Sequence, residues 1–73
     1  MISDPAIASK ISNMMLEIGA GLDASVTLVQ EGCPESEFQA YRFVAAQLMS
    51  TILLDVMNPI YKIHPVLKPK ELD

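Results

Sequence analysis

Few residues in this chain have the chemistry to act on a substrate, and their spacing works against each of them. Cys33, the only cysteine, is flanked by Glu31 on one side and by Glu35 and Glu37 on the other. A cysteine becomes a nucleophile where its surroundings favour the thiolate, and a cluster of carboxylates does the opposite. The sequence therefore predicts an inert turn cysteine, with a redox-dependent disulfide between chains as its one available reaction. His64 is the only histidine. General-base work requires a nucleophile or an orienting carboxylate within reach, and no such partner stands at a recognisable spacing. A half-exposed histidine that caps or packs at a helix end is the expectation. The acids Glu31, Glu35 and Glu37 supply oxygen ligands of the kind Mg²⁺ and Ca²⁺ take, but no alternating Asp loop accompanies them. They read as a solvated turn that complements a helix dipole. The paired Glu-x-x-His motifs of di-iron bundles are absent. Gly19-Ala20-Gly21 is too short for a phosphate cradle and has an acid, Asp23, beside it. No catalytic, cofactor or metal site is expected, and the protein is read as non-enzymatic.

Size and composition then say what the chain must do to fold. It has 73 residues, 51% of them hydrophobic, and a net charge of −4. This is one domain, residues 1–73, too short to hide so much apolar surface unaided. One cysteine rules out an internal disulfide, and one cysteine with one histidine makes a structural zinc site a poor fit. Association with a second copy or another protein is what remains. The acidic balance argues against nucleic acid, whose recognition rests on Lys and Arg. It argues equally against an anionic membrane surface. The longest uncharged run, from Phe43 to Leu54, is twelve residues. A membrane span takes roughly 18 or more apolar residues. No basic region followed by an apolar one opens the chain, so no signal peptide is read, and a lone cysteine without one suits the cytoplasm.

Two helices must position these residues. Asp4 is placed to cap the first, with Pro5 at its opening position. Ile7, Ile11, Met14, Met15, Ile18, Leu22, Val26 and Val29 fall on one stripe about 120° wide at helical spacing, which predicts a helix over about 5–31. Each glycine of Gly19-Ala20-Gly21 costs a helix about 1 kcal/mol relative to alanine. The stripe nevertheless continues across them in phase, so the helix is expected to run through. Gly32 is expected to end it in the left-handed conformation, and Cys33 or Ser36 to cap the next helix. That helix, about 35–58, carries a main stripe of Phe38, Tyr41, Ala45, Leu48, Met49, Ile52, Leu53 and Val56, with Phe43 and Leu54 pointing nearly the opposite way. A helix apolar on more than one side is buried on more than one side. Four of the five methionines sit at apolar helical phases and read as core.

The short connection makes the helices antiparallel neighbours. The fold class expected is all-α: an antiparallel two-helix hairpin that dimerises into a four-helix bundle. Only in architecture is it similar to the plasmid-type four-helix-bundle regulators, which bind RNA through basic faces that this chain lacks. Phe43, Val44, Met49, Ile52, Leu54, Val56 and Met57 are the candidates for the dimer or partner interface. The function expected is that of an obligate homodimer acting as a protein-interaction module; the alternative is a carrier of a small apolar ligand inside the bundle. After Asn58 come Pro59, Pro65 and Pro69. They predict a proline-interrupted arm over 59–73, starting with a short turn that Asn58 caps, and folded back over the second helix of its own bundle or, alternatively, crossing to the other subunit.

Overall fold

In the computed structural model, which describes residues 1–68, helix α1 spans Pro5–Gly32 without a break. The Asp4 carboxylate accepts from the backbone N–H groups of Ala6 and Ile7 at 2.8 and 3.1 Å, satisfying two of the donors a helix start leaves orphaned. The glycines are absorbed as expected, and Gly19 is buried. The other end differs from expectation. No glycine among the described residues has a positive φ. The helix ends because Pro34 forces the residue before it out of the helical region: Cys33 lies at φ −129°, ψ 160°.

Helix α2, Glu35–Thr51, starts directly after Pro34 with no side-chain cap, so neither Cys33 nor Ser36 plays that part. The Pro34 carbonyl accepts from Glu37 and Phe38 at 3.0 Å each, and Glu35 and Glu37 supply negative charge to the first turn.

The largest departure is at Pro59. The sequence pattern stops the second helix at Asn58 and begins a new turn capped by that residue. Instead α2 passes into a π-helical segment, Ile52–Met57, and then into α3, Asn58–Ile63. Asn58 is itself helical, at φ −60°, ψ −45°, and its backbone N–H reaches Leu53, five residues back. Proline breaks a helix because it lacks an N–H and its ring strikes the carbonyl four residues earlier. A turn widened to five-residue bonding makes room for that ring. The extra residue also rotates the remainder of the helix by about 100°, which brings Met57, Ile60 and Tyr61 to face α1, where all three are buried.

The described part of the arm is thus mostly helical, and what it covers is the start of α1. Ile60 is fully buried and forms the core cluster with Ala8, Met57 and Tyr61. A 3₁₀ turn, Pro65–Leu67, comes next, and Leu67 packs on the same cluster. His64 Nε2 bonds the Ile2 carbonyl at 2.8 Å, tying the two ends of the described chain together. Pro69, Leu72 and the rest of the expected arm lie outside the described residues.

The seam of α1 keeps five of the eight residues of the expected stripe, Ile11, Met15, Leu22, Val26 and Val29, all half-buried, and adds small ones beside them. Ala8, Ser12 and Gly19 are buried, with Met15, Leu22, Val26 and Val29 half-buried. These positions advance by alternating steps of four and three, the spacing of closely paired helices. Large side chains of the facing rod lie over the small ones. Gly19 leaves room for Met49, whose Cε would stand 3.4 Å from a Cβ at that position. Tyr61 reaches Ser12, hydroxyl to hydroxyl, at 2.8 Å. Ile7, Met14 and Ile18, members of the expected stripe, are exposed instead. Close approach of two backbones favours small residues between them, and apolarity alone does not reveal that.

Candidate functional site

The chemically able residues are kept apart. Cys33 is exposed at the hairpin turn. His64 stands past the far end of a helical rod, Glu35–Ile63, 29 residues long. Its Nε2 faces a carbonyl, which can only accept, so that nitrogen carries a proton and donates it. Among the described residues no three or more of His, Cys, Asp and Glu gather where they could hold a metal ion. Glu35 accepts from Gln39 Nε2 at 2.7 Å, one turn along its own helix.

What the hairpin presents is apolar surface. A groove of about 430 Å³ runs between α1 and the rod, lined by Met15, Leu16, Gly19, Ala20, Met49 and Leu53 among others. It adjoins a second depression of about 490 Å³, with which it shares Asp23 and Met49 and which also takes in Thr27 and Arg42. Outside the groove, Ile7, Met14 and Ile18 of α1 and Val44 and Leu48 of α2 are all exposed.

Of the residues expected at an interface, Phe43, Val44 and Leu54 are exposed, at 65%, 50% and 59%. Met57 is buried within the chain, Ile52 and Val56 pack on its core, and Met49 lies against Gly19. Tyr41, whose hydroxyl has no partner legible in the sequence, bonds Ser25 at 2.7 Å. Ser25 gives its own proton to the Leu22 carbonyl at 2.7 Å, so Tyr41 is the donor of that pair. The two Ser–Tyr bonds pin the hairpin near its opposite ends. Ala8, Ser12 and Tyr61 lie outside the apolar periodicity of the sequence; Ala8 and Ser12 fall on the four-three series that the seam follows, and nothing local marks Tyr61.

By length and composition alone, the rod Glu35–Ile63 is long and apolar enough to cross a membrane, with a mean hydropathy of 1.4 over its most apolar stretch. Asp55 lies inside its most apolar part, and one side of the rod is packed on α1. No family model matches the sequence, and neither the curated proteins nor the solved structures compared with it include a match.

Proposed function

We propose that this chain is a non-enzymatic interaction module that works as an obligate homodimer, two hairpins forming a four-helix bundle that binds another protein. The observation that carries the reading is uncovered apolar surface. Six hydrophobic residues are buried among those described, whereas fourteen large ones are exposed. A small chain with that balance hides its apolar faces by association. The separation of Cys33 from His64, and the engagement of His64 with Ile2, support a role without catalysis. An unpaired, exposed Cys33 suits the reducing cytoplasm. Sedimentation equilibrium at micromolar concentration, without detergent, tests the reading. A mass near twice 8.0 kDa is expected. A stable folded monomer, or a protein soluble only in detergent, would overturn it.

The groove at Gly19 favours a second reading, a carrier for a small apolar molecule. Its volume falls in the range of ligand pockets, and methionines adapt their shape to varied guests. Native mass spectrometry of protein purified from its source distinguishes the two: a carrier retains an adduct, and an interaction module shows the bare protein mass.

A further inference from the structure

We infer that the two copies join through the exposed ridge of the Glu35–Ile63 rod that borders the groove, antiparallel, with the two-fold axis passing between Gln47 and Ser50. The inference rests on the homodimer reading above and names its surface.

Phe43, Ala46, Ser50 and Leu54 follow one another along an exposed ridge of the rod, and Ala46 and Ser50 also line the two depressions that the rod forms with α1. Their sizes run large, small, small, large. An antiparallel two-fold placed midway between Phe43 and Leu54 lays each Phe43 on the partner's Leu54. It also puts the small residues where the two backbones cross, which permits close packing. The two large residues lie about 16 Å apart along the helix, at 1.5 Å per residue.

The charges obey the same axis. Glu35 and Lys62 are equally far from it in sequence, on opposite sides. Antiparallel pairing therefore brings each Glu35 toward the partner's Lys62, one opposite-charge contact at either end. The bond from Gln39 holds the Glu35 carboxylate along this ridge. The π turn contributes as well: with Ile60 and Tyr61 rotated onto α1, Lys62 is carried to the outside of the last turn.

The competing face of the rod, through Val44 and Leu48, also has a symmetric centre. An axis midway between those two lays Glu37 against the partner's Asp55, acid on acid at both ends. Like charges brought together in this way exclude a pairing. The hairpin measures 45 × 20 × 16 Å, so a long side offers at most roughly 700–900 Å², against the ~800 Å² per partner of a standard interface.

Cysteine cross-linking tests the assignment. In a Cys33→Ser background, single cysteines are placed beside the axis (Ser50→Cys, and separately Gln47→Cys) and on the competing face (Leu48→Cys). Each is oxidised with diamide and monitored on non-reducing gels. Disulfide-linked dimer is expected to form at least about tenfold faster for either axis position than for Leu48→Cys, because the bond demands Cα atoms within about 7 Å. Equal rates, or faster linkage at Leu48→Cys, would overturn the surface assigned. Sedimentation of the Cys33→Ser parent separates the two levels: a dimeric parent with linkage on the wrong face refutes this surface alone, and a monomeric parent refutes the homodimer reading with it.

Discussion

Ser12 and Tyr61 offer the sharpest test of how the hairpin is held. Ser12 is the one buried polar residue among those described, 3% exposed, and its hydroxyl meets the Tyr61 hydroxyl at 2.8 Å. The two single substitutions are not equivalent. In Tyr61→Phe, the hydroxyl left behind belongs to a helical serine, which can turn to the carbonyl four residues back. The loss is then that of one ordinary hydrogen bond, about 1 kcal/mol. In Ser12→Ala, the phenol loses its partner in a site where it is 6% exposed. An orphaned buried hydroxyl costs about 1–3 kcal/mol, and the better helix propensity of alanine returns about 0.5. A net loss of about 1.5 kcal/mol is expected. The double variant removes the bond but leaves no orphan, so it should lose only about 0.5–1 kcal/mol, well short of the sum. Urea unfolding monitored by helical circular dichroism measures all four proteins at one total concentration, since the proposed self-association would make stability depend on it. For a chain of this size a loss of 1 kcal/mol lowers Tm by about 4–8 °C, which gives an independent reading. Additive losses, or a Ser12→Ala protein within about 0.3 kcal/mol of the parent, would show that the pair is not coupled as described.

The other expectations bear on the glycines and the C-terminal segment. Gly21→Ala should gain about 0.5–1 kcal/mol and raise Tm, because nothing lies within 4 Å of the added Cβ and alanine is the better helix former. Gly19→Ala should gain less, since its Cβ would touch Met49 at 3.4 Å, and thermal melts of the two rank them directly. Ile60→Ala removes the one large side chain that is fully buried among the described residues and should cost about 3 kcal/mol in urea unfolding. Ending the chain at Asn58 removes Ile60 and Tyr61 together and should abolish cooperative unfolding; a truncated protein that melts like the parent would mean that the arm does not hold the fold. His64→Ala should cost about 1 kcal/mol, and removing residues 1–3 as well should add little, because both changes break the bond to Ile2.

The exposed Phe43 and Leu54 were readable beforehand because they stand nearly opposite the helix's main stripe, a relation set by helical geometry alone. The same geometry placed the face of α1 only in part. Ile11, Met15, Leu22, Val26 and Val29 of the expected stripe pack, whereas its flank at Ile7, Met14 and Ile18 is exposed and the small residues Ala8, Ser12 and Gly19 are buried instead. A tally of apolarity gives such small residues little weight. Their value depends on what lies across from them, and Met49 and Tyr61 are far away in sequence. The interface candidates divided for a related reason. Met49, Ile52, Val56 and Met57 are as apolar as Phe43 and Leu54, and only the position of α1 tells the two groups apart.

The sequence by itself determined the helices, their antiparallel order, the Asp4 cap and the survival of α1 through its glycines. Each of these arises from near neighbours along the chain, through periodicity, capping or the restriction a proline imposes. Tertiary structure alone decided how the second helix passes Pro59. Locally that proline reads as a stop. The burial of Ile60 and Tyr61 against Ala8 and Ser12 favours continuation, and a π turn makes it sterically possible. The residues that settle the matter lie some fifty positions apart, so no local pattern contains both of them.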